Sequence, residues 1–202
     1  MKIICVGRNY KKHAEELGNN VPDEPVLFMK PDSAILRQRD AFYIPDFSSD
    51  IHYEAEIVIK LNRLGKKIQT KFASKYYAEF TLGIDFTARD VQTKLKEKGL
   101  PWEKAKAFDN SAVLGKWLNV EDFDIQQLDF ELHKNGALVQ KGNTQNMLFS
   151  IDEIIEHASQ FYTLKIGDLI YTGTPEGVGP VKPGDTLEGF VQGQKVLSVR
   201  VK

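Results

Sequence analysis

Ile51-His52-Tyr53-Glu54-Ala55-Glu56-Ile57-Val58-Ile59-Lys60-Leu61 alternates without interruption. Ile51, Tyr53, Ala55, Ile57, Ile59 and Leu61 fall on one side, and His52, Glu54, Glu56, Val58 and Lys60 on the other, which is the two-residue period of a β-strand. Glu54 and Glu56 then project from one face with Cβ atoms about 7 Å apart, close enough for both carboxylates to reach one cation. Taken alone, two acids on an alternating strand are more often simply its wet face.

Outward from this strand, the chain is punctuated by short elements. Met1 to Val6 predicts a first strand, and Gly7-Arg8-Asn9-Tyr10 a turn. Lys11 to Leu17 predicts a short helix stopped by Gly18-Asn19-Asn20, and Val26 to Pro31 a strand ending where proline removes the amide donor. Ala73 to Phe80 is compatible with a helix, and Thr81-Leu82-Gly83-Ile84 runs into Asp85 near a strand's end. Leu128 to His133 alternates, breaks at Asn135-Gly136 and resumes over Ala137 to Gln140, the pattern of a tight hairpin. Ser150-Ile151-Asp152-Glu153 is a capping box before apolar residues at helical spacing, Ile151, Ile154, Ile155 and Ala158. Glycine turns then separate short apolar runs up to the alternation of Leu197, Val199 and Val201. Many short strands with few helices predict a β-rich α+β fold, roll or barrel-like, rather than a doubly wound sheet.

Composition narrows the function. A chain of 202 residues, 42% hydrophobic, can bury a full core as one domain spanning 1–202. Its 27 basic and 28 acidic residues nearly cancel and form no long block, so neither nucleic acid nor an anionic membrane is an expected partner. No run reaches the ~20 apolar residues of a membrane helix. The single cysteine, Cys5, forms no intrachain disulfide or cysteine-rich zinc site and reads as a buried strand residue. The apolar run at the N-terminus is too short for a signal peptide, and the simplest expectation is a cytoplasmic protein.

Asp85 supplies a third carboxylate at a strand-to-turn junction. Three hard oxygen ligands without cysteine favour magnesium, manganese or calcium over zinc. His52 shares the face of Glu54 and Glu56, without that making it a ligand. His13 and Glu16, three apart on the first helix, face the same way and can form an acid–base pair, or else ordinary exposed helix surface. Lys106, bracketed by small and aromatic residues in Trp102-Glu103-Lys104-Ala105-Lys106-Ala107-Phe108, is placed for a lowered pKa or for an ammonium aimed at an oxyanion. Thr172-Gly173-Thr174-Pro175-Glu176-Gly177-Val178-Gly179 lacks the lysine of a phosphate-binding P-loop. It is a turn or a substrate loop, with glycines that let amides approach an anion and the Thr174 hydroxyl as an extra donor.

In order along the chain, Cys5 to Tyr10 with His13, Glu54-Ala55-Glu56, Gly83 to Gln92, Lys98 to Trp102, Ala105 to Asp109 and Gly167 to Gly179 resemble the fumarylacetoacetate hydrolase family. The likeness is to its short, single-domain acylpyruvase and oxaloacetate decarboxylase branch. The resemblance implies that family's mixed β-roll, commonly a homodimer, with Mg2+ or Mn2+ on Glu54, Glu56 and Asp85. It implies that Lys106 is the active-site lysine and that His13 and Glu16 lie on a mobile lid of roughly residues 9–26. Arg89, Gln92 and Thr174 would hold substrate, and Lys30 would stand near the metal.

The expected activity is metal-dependent hydrolysis of acylpyruvates to pyruvate and a carboxylic acid, with oxaloacetate decarboxylation through the same enolate. One alternative keeps the site but isomerises or decarboxylates an unsaturated dicarboxylic 2-oxo acid of the 2-hydroxyhepta-2,4-diene-1,7-dioate type. Another is a binding protein without catalysis.

Overall fold

The computed structural model describes residues 1–16, 18 and 20–202. The chain runs through β1 (Lys2–Val6), α1 (Lys11–Glu16), β2 (Leu27–Pro31), β3 (Ile51–Tyr53), β4 (Ala55–Leu61), α2 (Thr70–Ala73), β5 (Tyr77–Asp85) and β6 (Thr87–Ala88). Next come α3 (Arg89–Glu97), α4 (Glu103–Lys106), β7 (Ala112–Leu114), β8 (Leu118–Asn119), β9 (Asp129–Lys134), β10 (Ala137–Asn143) and α5 (Ile151–Phe161). It ends with β11 (Leu169–Tyr171), β12 (Gly179–Pro180), β13 (Thr186–Val191) and β14 (Gln194–Arg200). A mixed sheet in the order β2-β1-β11-β4-β5-β7, with β8 also on β5, is joined by a β10-β9-β13-β14 sheet and a small β12-β3-β6 sheet. This is the strand-rich α+β fold that the punctuation predicts.

The alternating stretch differs from its expected form in two ways. It is not one strand: Ile51–Tyr53 pairs in the small sheet, Ala55–Leu61 pairs in the large one, and Glu54 stands at the break. Nor is its polar side wet. β4 lies between β11 and β5, and its odd-numbered residues enter the main core shared with β9, β13 and α5. Val58, on the Glu56 side, packs with Ile3, Cys5, Leu169 and Tyr171 in a second apolar cluster. Where a central strand is covered on both faces an acid on it is buried whatever the alternation suggests, and only Lys60, toward the end of β4, keeps part of its side chain exposed on this side among the described residues of the strand. Cys5 is buried, as its apolar reading expects.

Ala73 to Phe80 is not a helix. A short helix ends at Ala73, a 3-10 turn covers Ser74–Tyr76, and Tyr77 already belongs to β5. Phe80 and Leu82 are drawn into the core by pairing with β4, and tertiary pairing overrides a weak local helical preference. The first helix is described as far as Glu16; Leu17 and Asn19, which fall in its expected end and stop signal, lie outside the described residues. The hairpin turns at Asn135 and Gly136, both at positive φ. α5 carries the full reciprocal Ser150–Glu153 capping box. That cap contributes about 1 kcal/mol, whereas Ile151, Ile154 and Ile155 are buried at roughly 1.5–3 kcal/mol each, so packing rather than capping holds the helix. No helix among the described residues is long and apolar enough to cross a membrane.

Candidate active site

The β4–β5 register assembles the acids. Ala55 pairs with Ile84 and Glu56 with Gly83, and the Asp85 amide donates to the Glu54 carbonyl at 2.8 Å. Gly83 is required here because a Cβ would come within 2.7 Å of the Val113 carbonyl and of Val58. The next residue after Asp85, Phe86, stacks on Phe42 with ring centroids 3.8 Å apart, which pins the end of β5. Glu54, Glu56 and Asp85 are 5%, 1% and 0% exposed, and one carboxylate oxygen from each lies within 4.8 Å of the other two.

These residues fit a divalent cation. Burial, then the neighbouring Asp85 and Glu54, push the Glu56 carboxyl well above the ordinary carboxylate range, so a further positive charge beside it would favour its ionised form. Asp85 Oδ1 is buried and accepts no hydrogen bond, although the Lys30 ammonium lies 2.7 Å away as an ion pair. Hard oxygen donors suit Mg2+ or Mn2+.

Lysines wall the triad. Lys106 Nζ donates to Glu54 Oε2 at 2.7 Å, Asp85 Oδ2 at 2.8 Å and Thr87 Oγ1 at 2.6 Å. Its expected lowered pKa is not found. Burial alone would lower it, but Asp85 and Glu54 outweigh burial and hold it above the ordinary lysine value, so Lys106 stays an ammonium. Glu54 shows the other side of this balance: burial pushes it up, yet Lys106 and Arg89 keep it well below the usual range. Lys30, fully buried, also bonds the Lys106 carbonyl and donates to Ser111 Oγ at 2.9 Å. Arg89, at the start of α3, pairs with Glu54 and donates to Gln92 Oε1 at 2.6 Å. His52 instead turns to Asp50, with Nε2 at 2.9 Å from its carboxylate.

His13 is buried on α1 and faces Glu16, Nδ1 to Oε2 at 3.3 Å. The Gly177 amide donates to Glu16 at 3.1 Å and anchors it. Burial holds the His13 imidazole below its ordinary pKa against the pull of Glu54 and Glu16, which leaves it neutral and able to take a proton near pH 7. His13, Glu54, Arg89, Gln92, Lys106, Arg8 and Trp102 line one cleft. About 20 Å³ of it is open to the centres of water-sized molecules, roughly room for one water. A roomier cleft of about 300 Å³, beside Tyr10, Lys12 and Lys141, is not lined by the triad.

The Thr172 to Gly179 loop leaves β11, which pairs with β4 through Tyr171 and Val58, and so arrives beside Glu56. Gly173, at φ +97°, brings its amide to Glu56 Oε2 at 2.7 Å, and a Cβ there would sit 2.6 Å from the Asn9 Cβ. Two amides of the loop, Gly173 and Gly177, are thus taken by the protein's own carboxylates. Thr174 stands next to Gly173 but, like Lys30, is not among the residues lining the small cleft.

Thr87, Ser111 and Gln140 also belong to this constellation and were not singled out from the sequence. Thr87 had a signal in the Asp85-Phe86-Thr87 run. Ser111 and Gln140 reach the site only through tertiary folding.

A strand-rich fold closing over a buried acidic triad, two buried lysines and a histidine–glutamate pair is the architecture of an enzyme. The chain belongs to the fumarylacetoacetate hydrolase family: the fumarylacetoacetate (FAA) hydrolase C-terminal model matches residues 2–202. It is 41% identical over 202 residues to oxaloacetate tautomerase YcgM of Escherichia coli (strain K12), covering 99% of this chain and 92% of that one. It is 42% identical over 194 residues to the mitochondrial oxaloacetate decarboxylase of Dictyostelium discoideum, covering 95% and 89%. The crystal structure of fumarylpyruvate hydrolase from Pseudomonas aeruginosa in complex with Mn2+ and pyruvate superposes with a TM-score of 0.94 at 34% identity, over 100% and 89% of the two chains.

Proposed function

We propose that this enzyme turns over small 2-oxo acids through their enolates, hydrolysing acylpyruvates to pyruvate plus a carboxylic acid and also processing oxaloacetate. The buried Glu54–Glu56–Asp85 cluster, with the Lys30 and Lys106 ammoniums beside it and His13 lining the same cleft as Glu54, carries the reading. Relatives acting on oxaloacetate and on fumarylpyruvate support it, because their substrates share a 2-oxo carboxylate with a labile position at C3.

Glu54, Glu56 and Asp85 would hold Mg2+ or Mn2+, which when bound supplies Lewis-acid stabilisation for the negative charge of an enolate. Arg89 and Gln92 bind and orient the substrate's oxygens, and Thr174 adds a hydroxyl donor. Neutral His13, oriented by Glu16, removes a proton from water as it attacks the distal carbonyl; the C–C bond breaks, and C3 is protonated to give pyruvate. The Lys106 ammonium offsets oxyanion charge. Oxaloacetate needs no water, since loss of CO2 and protonation of C3 give the same product.

Acetylpyruvate, fumarylpyruvate and oxaloacetate assayed side by side with Mn2+ test this, with H2(18)O as solvent. Label in the released carboxylic acid is expected. A moved double bond with the carbon count intact would establish the isomerase reading instead, which the tautomerase relative favours because it too shifts a proton on an enol.

Residues of roughly 9–26, of which Leu17 and Asn19 lie outside the described residues, would act as a lid beside the small cleft that His13 lines together with Arg89 and Gln92. Hydrogen exchange in α1 is expected to slow when oxalate binds the Mn2+-loaded protein. Equal exchange with and without oxalate would rule the lid out.

A further inference from the structure

We propose that Gln140 is a positioning residue that sets the polarity of the Thr174 hydroxyl; this rests on the reading of Thr174 as a substrate-binding group. Gln140 lies on β10, in a sheet that supplies none of the acids or lysines, yet its side chain is buried against the site. The β9–β10 register slips between Leu138 and Gln140, and this irregularity precedes the residue that turns inward.

Its three contacts leave one amide orientation. The Ala55 amide, between Glu54 and Glu56, is a donor and must meet Oε1, at 2.9 Å. The Pro175 carbonyl is an acceptor and must meet Nε2, at 3.0 Å. The second Nε2 hydrogen then goes to Thr174 Oγ1 at 2.9 Å, which makes that oxygen an acceptor. The hydroxyl's own hydrogen has no acceptor among the described residues and is free for a substrate oxygen. One amide thus joins the break that carries Glu54 and Glu56 to the loop that carries Thr174, and allows Thr174 to act only as a donor toward the ligand.

A glutamate at this position keeps the shape and the acceptor for Ala55 but has no hydrogens to give, so the Thr174 hydroxyl would turn back toward it. Oxalate titrated calorimetrically into Mn2+-loaded wild type, Gln140→Glu, Thr174→Val and the double variant tests the proposal. Each single change is expected to weaken oxalate about tenfold or more, the size of one hydrogen bond to a charged group. The double variant should bind within about twofold of Thr174→Val, since coupled residues are not additive. Mn2+ affinity should move by no more than about threefold, because the bond to Ala55 survives. Charge repulsion by the new carboxylate would persist in the Thr174→Val background, so multiplied losses overturn the proposal, as does wild-type oxalate affinity in Gln140→Glu. Unchanged oxalate binding in Thr174→Val would instead remove the underlying assignment of Thr174, and the proposal with it. If Gln140→Glu does not fold, Gln140→Met, uncharged and similar in volume, runs the oxalate cycle without the Mn2+ criterion, because the acceptor for the Ala55 amide is lost with the side-chain amide.

Discussion

Asp85→Asn is expected to lower metal-dependent kcat/KM by roughly a thousandfold, equivalent to about 4 kcal/mol of lost charge stabilisation. The side chain keeps its shape, so the effect isolates the negative charge. Asp85 holds both buried lysines, with Lys30 on Oδ1 and Lys106 on Oδ2. Lys106 retains Glu54, but Asp85 is the one carboxylate paired with Lys30 among the described residues. The metal-free variant should therefore also lose stability, by about 3–5 kcal/mol, the usual cost of removing one partner from a buried ion pair. Calorimetric titration of Mn2+ and thermal unfolding without metal measure the two effects separately. Mn2+-dependent turnover within tenfold of wild type would contradict the assignment of Asp85 as a ligand.

His13→Ala is expected to depress acylpyruvate hydrolysis by about 10²–10⁴-fold, the range for a general base, while oxaloacetate decarboxylation, which needs no water, stays within about tenfold. Equal loss of both activities would sink this division of labour. The pH profile adds an independent check. Burial lowers the His13 pKa, so the acid limb of hydrolysis should fall below the ordinary histidine value of about 6.5. Activity is present above that limb and is lost as protonation of the imidazole sets in. Glu16 favours the protonated form, so Glu16→Gln should move the limb to still lower pH. Stability follows the same sign: between the lowered folded value and the unfolded one, the unfolded chain binds more protons, and this contribution is lost as pH falls.

Much of the site was legible because its parts sit in short ordered runs. Glu54-Ala55-Glu56, Asp85 to Gln92 and the Thr172 to Gly179 loop all carry chemistry in their residue types, and the fold brings them together. The wet-face reading of Glu54 and Glu56 failed because alternation records the period of a strand and not what covers its second face. Of the two readings of Lys106, a lowered pKa or a retained ammonium, the first fails: the side chain is desolvated, but two carboxylates lie within 2.8 Å, and Coulomb attraction at that distance exceeds the burial penalty.

By itself the sequence determined the strand-rich class, the Asn135–Gly136 hairpin and the Ser150 cap, the last two set by contacts within a few positions along the chain, and it supplied the acids of the triad without bringing them together. The tertiary structure alone decided that Lys30, expected near the metal only through the family resemblance, pairs with Asp85 from β2, that Gly173 donates to Glu56 across 117 positions and that Gln140 reaches in from a second sheet. The physical reason is that burial, charge balance and the direction of a hydrogen bond depend on which groups fold against one another, and no local period encodes that.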